Sequence, residues 1–363
     1  MKIGVITARF SVSGVPLAQV RLARALVTAG HQVDLVMGYV PADAELPPVP
    51  GANIVVFGHS KVRGLLADLW RYLRNTRPDV VFAAEDHLTA MVLLAAVLSR
   101  SPVIISGSSR VTPFDAYSNK RLSKPWLLKQ MMRAVMWRAD ALTCVSEDMV
   151  AQYREIFASP PHVSVYNIVD DPTSRERARE SVTDEWLDHK TLPVIIGAGT
   201  LAPWKGFEDL IIATAILKDR GRATRLMILG EGPERERLER LIIDRGVQEL
   251  VRLPGRTENP LKYFAHADVF ALSSRVEGMP NVLVEAMMCG ATPVAADCPT
   301  GPRELLRQGK YGYLVPPSDP VAMADGIERA LDSPIAAEVL AEAVRPFEQS
   351  AVIDRHFSLL GLA

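Results

Sequence analysis

The sequence has little cysteine. Cys144, Cys289 and Cys298 are the three in 363 residues, too few and too scattered for a disulfide framework or a zinc site, so a reducing, cytoplasmic compartment is expected. An excess of charge is also missing: 41 basic residues against 42 acidic ones give a net charge of −1. A protein that binds a phosphate backbone carries a clear basic surplus, so nucleic acid is not an expected partner. Long apolar runs are absent as well. The most apolar helix candidate, residues 88–98, comes just after Glu85, Asp86 and His87 and falls well short of the ~20 residues that cross a bilayer. The opening MKIGVITARF reads as a buried strand; a secretory leader has a longer apolar core and a small-residue cleavage site.

Apolar residues make up 48% of the chain and charged residues 23%, the balance of a well-packed globular protein, and the length suits two domains. Short β-branched runs (KIGVI, QVDLVM, NIVVF, DVVFA, PVIIS, ALTCV, HVSVY) alternate with amphipathic stretches at 16–29, 61–76, 88–99, 123–138 and 147–157. That rhythm means a parallel sheet covered on both faces. Residues 171–192 are rich in charge, with little apolar periodicity before Trp186, and read as an interdomain linker. The rhythm then restarts with PVIIGAG, RLMIL, LVRL, DVFAL, TPVAA and GYLV. The expectation is an α/β protein of two tandem Rossmann-like domains, 1–170 and 193–335, with parallel sheets facing across a cleft. Residues 336–363 are expected to form a last helix that packs back on the first domain. Ligands of open α/β sheets bind outside the carboxyl ends of the strands.

The richest stretch is SSRVEGMPNVLVE, residues 273–285, which follows the strand DVFAL. Gly278 permits close backbone approach and Pro280 suits a helix's first turn, so a helix is predicted from about Asn281, with free N–H groups facing the strand end. Glu277 precedes that helix and Glu285 lies about one turn inside it; carboxylates accept well from sugar hydroxyls. The run E-G-M-P-N-V-L-V-E-A-M, with seven residues between its glutamates, is followed by C-G-A-T-P-V-A and C-P-T-G-P-R-E. Together they resemble the signature of glycosyltransferase family 4, retaining enzymes of the GT-B fold, in the subgroup with a C-P-x-G-P-R-E segment. The resemblance implies that Glu285 binds the donor ribose and Glu277 faces the sugar ring. It also implies that backbone N–H groups among Gly278, Met279, Pro280, Asn281 and Val282 surround sugar and phosphate, proline itself supplying none.

A second stretch, IIGAGTLAPWKGF at 195–207, supports two readings. G-A-G-T-L-A, through Gly197, Gly199 and Ala202, matches a dinucleotide fingerprint and would make an NAD-type oxidoreductase. Against it, Pro203 and Trp204 interrupt the turn where a cofactor helix should start. The family resemblance implies instead that Lys205 faces the donor diphosphate and offsets the leaving group's charge. Family members often carry arginine five residues earlier; here Thr200 stands there, with a hydroxyl and no charge, and Arg275 is the candidate substitute. LGEGP at 229–233 and LPGRT at 253–257 end strands with glycine, which serves a turn as readily as a site. In the family these loops line the nucleotide pocket, which would make Arg256 base-proximal.

In the first half, Gly14 of FSVSGVP should bring N–H groups to the strand end, though many relatives have two glycines where this chain has Ser13-Gly14. Ser108 stands where many relatives have histidine at the end of PVIIS. Ser108 and Arg110 are therefore acceptor-side candidates, with His87 as an alternative that also suits a structural role. Residues 116–139 hold Lys120, Arg121, Lys124, Lys129, Arg133 and Arg138 and no acid. On a helical projection Leu128, Met131, Met132, Val135 and Met136 form a core stripe. Trp126 and Trp137 fall opposite, beside Lys129 and Arg133, which fits peripheral contact with an anionic membrane or else a solvated basic face.

No D-x-D sequence of metal-dependent glycosyltransferases occurs. The expectation is a metal-independent, cofactor-free transfer of a sugar from a nucleoside-diphosphate sugar, UDP-linked by preference, to a glycan or lipid-linked saccharide, with Glu277 and Lys205 as catalytic residues. The rivals are the oxidoreductase and a nucleotide-sugar-binding module without catalysis.

Overall fold

The computed structural model describes residues 1–11, 14–42 and 44–362, and every count below is of those residues. Met1–Ile168, joined by the residues from Gln349 onward, form one compact unit, and Val169–Glu348 form the other.

The first unit has strands β1 (Lys2–Thr7), β2 (Gln32–Met37), β3 (Ala52–Val56), β4 (Val80–Ala84), β5 (Ile104–Ser109), β6 (Ala141–Cys144) and β7 (His162–Ser164). Between them run helices α1 (Gly14–Thr28), α2 (Leu66–Thr76), α3 (Asp86–Ser99), α4 (Pro113–Ala116), α5 (Lys124–Val135) and α6 (Glu147–Ile156). The strands pair in the order β3-β2-β1-β4-β5-β6-β7, all parallel. Parallel neighbours need a crossover, and crossover helices cover both faces; this is why β1, β2 and β4 are buried along nearly their whole length while the edge strand β3 exposes Ile54 and Val56. Gly4 is small for a reason: a Cβ there would lie 2.7 Å from the hydroxyl of Tyr72, which donates 2.9 Å to the buried Asp34.

The second unit has strands β8 (Val194–Ala198), β9 (Arg225–Leu229), β10 (Val251–Gly255), β11 (Val269–Leu272), β12 (Thr292–Ala296) and β13 (Tyr313–Val315). Its helices are α7 (Pro172–Ala178), α8 (Glu185–Asp188), α9 (Phe207–Asp219), α10 (Arg235–Asp244), α11 (Leu261–Phe264), α12 (Asn281–Met288), α13 (Pro302–Leu305), α14 (Pro320–Asp332) and α15 (Ala337–Val344). The order is β10-β9-β8-β11-β12-β13, again parallel. Each sheet is thus a Rossmann-like layer. Strand order reverses between β1 and β4 in one and between β8 and β11 in the other, the points at which such sheets take ligands.

Two segments differ from the sequence reading. Residues 171–192 belong to the second unit and hold α7 and α8, each capped by an aspartate: Asp171 accepts from Ser174 N at 2.8 Å and Asp184 from Trp186 N at 2.8 Å. Trp186 is buried, with the guanidinium of Arg252 from β10 4.0 Å from its ring centroid, so two of the acids that suggested a linker serve as helix caps and the segment's tryptophan packs beneath a cation of the sheet. The expected single helix at 336–363 is two. Pro346 cannot continue α15, and after Glu348 the chain enters α16 (Gln349–Leu359), which packs into the first unit's core through Val352 and Ile353. Among the described residues no helix is long and apolar enough to cross a membrane.

Candidate functional site

The reversal point of the second sheet brings together the loops after β8 and β11. After β8 a single 3₁₀ turn, Pro203–Lys205, precedes Gly206 (φ 62°), and α9 begins only at Phe207. Gly206 is required: a Cβ there would sit 2.3 Å from the carbonyl oxygen of Ser273. That close approach lets Ser273 Oγ donate to the Lys205 carbonyl at 2.8 Å and Arg275 N to the Trp204 carbonyl at 2.8 Å, so the two loops are bonded through their backbones.

Held by that contact, Lys205 Nζ donates to Glu277 Oε1 at 2.6 Å. The side chains are 18% and 11% exposed, shielded enough for the pair to act on each other, yet still open to solvent. Glu277 has two further restraints. Ser274 Oγ donates to the same carboxylate oxygen at 2.6 Å, and Thr300 Oγ1 donates to the Glu277 carbonyl. Pro280 then caps α12, which starts at Asn281. Glu285 sits about one turn along that helix and is partly buried; Gly278, Asn281 and Val282 are half-buried and Met279 and Pro280 buried. Burial pushes the Cys298 thiol up to about 12, the charge of Glu277 adding to the rise and that of Lys205 opposing it.

Other expected residues fall elsewhere. Arg275 does not stand as a free cation. It donates to Glu208 at 2.7 Å, to the Pro203 carbonyl at 2.6 Å and to Ser318 Oγ at 3.0 Å, so its charge is balanced by Glu208 and it clamps the two loops. Burial pushes the Glu208 carboxyl up, but its own backbone N–H and Arg275 hold it below the usual range. Thr200 is exposed at the end of β8. Arg256 is exposed and lines a cavity of about 340 Å³ with Glu180, Lys262 and Tyr263. Gly230, in LGEGP, packs against the β8 loop so closely that a Cβ would overlap the Gly199 carbonyl oxygen at 1.8 Å. Ser274 and Thr300 were not anticipated; their only signal was their place inside the two quoted motifs.

In the first unit Gly14 opens α1 and is exposed, while Ser13 lies outside the described residues. Ser108 is buried in β5, and its carbonyl accepts from Glu85 N at 2.8 Å. Arg110 Nη1 donates to Asn167 Oδ1, and burial lowers the guanidinium to about 10 against the pull of Glu85. His87 Nε2 is 3.5 Å from Glu85 Oε2. Of the expected stripe, Met132 and Val135 on α5 and Met136 in the turn after it are buried, and Leu128 and Met131 are half-buried; Lys129 is a correction, for it too is buried, donating to Asn119 Oδ1 at 2.9 Å. Trp137 is 67% exposed and Leu127 51%, with Trp126 half-buried and Arg133 exposed. Among the described residues no group of three or more His, Cys, Asp or Glu is placed to hold a metal ion.

A lysine and a glutamate at a sheet's reversal point, beside a helix start, can take a ligand that is anionic at one end and rich in hydroxyls at the other. Residues 179–346 match the family model described as glycosyl transferases group 1, and residues 13–167 match the glycosyl transferase 4-like domain. The chain is 33% identical over 262 residues to the N-acetylgalactosamine-N,N'-diacetylbacillosaminyl-diphospho-undecaprenol 4-alpha-N-acetylgalactosaminyltransferase of Campylobacter jejuni, covering 71% of this chain and 68% of that one. It is 35% identical over 156 residues to the alpha-D-kanosaminyltransferase of Streptomyces kanamyceticus, covering 42% and 40%. An uncharacterized glycosyltransferase of Methanocaldococcus jannaschii matches at 25% over 268 residues, covering 68% and 66%. The matches thus span 40% to 68% of these curated relatives' lengths. Among solved structures, Anabaena HepE in complex with UDP superposes with a TM-score of 0.79 at 19% identity, covering 100% of both chains.

Proposed function

As the chain belongs to the glycosyltransferases, of the group 1 and 4-like kind with the GT-B fold, we propose that it moves a sugar from a nucleoside-diphosphate sugar, UDP-linked by preference, to a glycan or lipid-linked saccharide. The process served is synthesis of cell-surface polysaccharide or glycolipid. The observation that carries this reading is the Lys205–Glu277 contact of 2.6 Å at the β8/β11 reversal point. The Anabaena structure's UDP and the diphospho-undecaprenol in the Campylobacter relative's name support the donor and acceptor classes.

In this reading Lys205 faces the donor diphosphate as a point charge, Glu277 accepts from hydroxyls of the transferred sugar, and Glu285 accepts from the ribose. The N–H groups at the start of α12 and the N–H of Gly278 complete the cradle. The bond from the anomeric carbon to the diphosphate oxygen breaks, and an acceptor oxygen bonds the same carbon on the same face. The acceptor's proton passes to a diphosphate oxygen, leaving a nucleoside diphosphate and a glycoside with retained configuration. Lys205 stabilises the charge that grows on the leaving group, a role worth most in a shielded site; no metal or cofactor is assigned a part. The enzyme works in the cytoplasm, its acceptor at the inner membrane face. There the outward side of α5 and the turn after it, with Trp126, Leu127, Trp137 and Arg133, meets anionic lipid.

The oxidoreductase reading loses its footing locally, because a 3₁₀ turn and the left-handed Gly206 separate Ala202 from the helix that should receive a pyrophosphate. The decisive experiment is Lys205→Ala with a panel of nucleotide sugars. Transfer should fall about 10²–10³-fold, and UDP, but not NAD, should raise the melting temperature of the unaltered protein. Undiminished turnover in the variant would sink the assignment, and absence of any transfer by the unaltered chain would favour the non-catalytic module.

A further inference from the structure

At the carboxyl end of β4 the chain turns into α3 through Glu85, whose φ of 76° and ψ of 135° lie in a region that side-chain-bearing residues avoid. Arg77 and Arg100, which also have positive φ, sit in the ordinary left-handed well at helix ends. Glu85 does not. Glycine would fit this turn without strain, yet a glutamate occupies it.

The flanks show how the conformation is kept. Glu85 N donates to the Ser108 carbonyl at 2.8 Å, and the Glu85 carbonyl accepts from Thr89 N at 2.9 Å. The next residue, Asp86, is buried and accepts from Ser109 Oγ at 2.5 Å, Tyr117 Oη at 2.7 Å and Tyr153 Oη at 2.6 Å. Bonds from β5, from α6 and from the residue that follows α4 thus over-determine the turn, which is the condition under which backbone strain persists.

What the turn presents is a carboxylate at a place where ligands bind. β4 neighbours β1, and the strand order of this sheet reverses between them. The Glu85 side chain is 35% exposed and lies 3.5 Å from His87 Nε2, itself 45% exposed. Burial raises its pKa, with His87 and then Arg110 opposing the rise. Arg110 carries a buried Nε that has no partner among the described residues. A carboxylate whose charge is offset by a guanidinium holds a cation weakly but still accepts from hydroxyls, which suits a neutral sugar.

We propose that Glu85 is an acceptor-binding residue, held in a strained turn so that its carboxylate, with His87 beside it, accepts hydrogen bonds from hydroxyls of the acceptor sugar. The inference rests on the glycosyltransferase reading. Three variants of the full chain test it: Glu85→Gln, Glu85→Ala and Glu85→Gly. Acceptors are octyl glycosides of glucose, galactose and N-acetylglucosamine, with UDP-glucose, UDP-galactose and UDP-N-acetylglucosamine as donors. The acceptor KM should rise about 10- to 100-fold in all three, while UDP shifts their melting temperatures as it does the unaltered protein's. Because both lack the carboxylate, the glycine and alanine variants differ mainly in strain, and Glu85→Gly should melt about 2–4 °C above Glu85→Ala. A glycine variant no more stable than the alanine one overturns the inference, as does an unchanged acceptor KM. Failure of UDP to stabilise any of the proteins overturns the underlying reading as well, so the two failures are told apart.

Discussion

The two units are built on one plan, a parallel sheet whose strand order reverses between its first and fourth strands, yet they place polar groups at that reversal in opposite ways. In the second unit the groups are charged and paired: Lys205 with Glu277 across two loops, and Arg275 with Glu208 in the first turn of α9. In the first unit the central carboxylate, Asp86, is buried and satisfied by three hydroxyls instead of a cation, and the solvent-facing Glu85 beside it is strained. A loop ion pair tolerates being opened by a ligand, because water and ligand replace what each partner loses. A buried carboxylate among hydroxyls does not, since the hydroxyls of Ser109, Tyr117 and Tyr153 would lose their shared acceptor. The second unit's arrangement is suited to reorganising around a ligand, and the first unit's to holding a rigid surface.

The comparison is broken most forcefully at Asp86. Asp86→Ala removes the shared acceptor of Ser109, Tyr117 and Tyr153 and should destabilise the first unit by about 3–5 kcal/mol. Calorimetry should then show the first unit melting well before the second. A single transition shifted by less than a degree would show that Asp86 is not the hub the geometry implies.

Much of the second unit's site was legible because its parts are close in sequence. Pro280 announces the start of α12, and Glu277 lies three residues from Ser274, so the motif carries its own scaffold. The Lys205–Glu277 contact spans 72 residues; the resemblance implied that both residues face one donor, and no spacing rule would have given their direct pairing. The hub at Asp86 had no such help. Its partners lie 23, 31 and 67 residues away, and a tyrosine on a core-facing helix carries no mark of what its hydroxyl touches. Lys129 failed for another reason. Charge assigns a lysine to the solvated side, whereas Lys129 is buried like Met132 three residues along α5, and Asn119 receives its ammonium.

A milder way to separate the units is acid. His162 and His356 are buried in the first unit, and burial lowers them to about 4 and about 3. Their folded values lie below the unfolded value of about 6.5, so the unfolded chain takes up protons first and stability falls as pH drops from about 6.5 toward 4. By pH 5 each should cost of order 1–2 kcal/mol. His356→Leu should flatten the pH dependence of the first unit's melting temperature over that window. If the unaltered first unit melts at the same temperature at pH 7 and pH 5, the histidines are not held neutral as the burial requires.

The smallest effect concerns the outer surface of the first unit. Leu122, Leu127 and Trp137 are 81%, 51% and 67% exposed, and Lys120, Arg121, Lys124 and Arg133 surround them along the chain. Apolar side chains left in water cost the folded state little to change, so Trp137→Ser should alter stability by under about 0.5 kcal/mol. Burial of an indole at a bilayer's headgroup level is a different matter, because that area leaves water only when lipid is present. Sedimentation with phosphatidylglycerol-containing vesicles should therefore show binding weakened about 3- to 10-fold in Trp137→Ser, with the loss deepened by Arg133→Gln and the binding of both reduced by salt. Equal binding to neutral and anionic vesicles, or none by the unaltered chain, would leave α5 a solvated face, and the two units would then differ in their interiors alone.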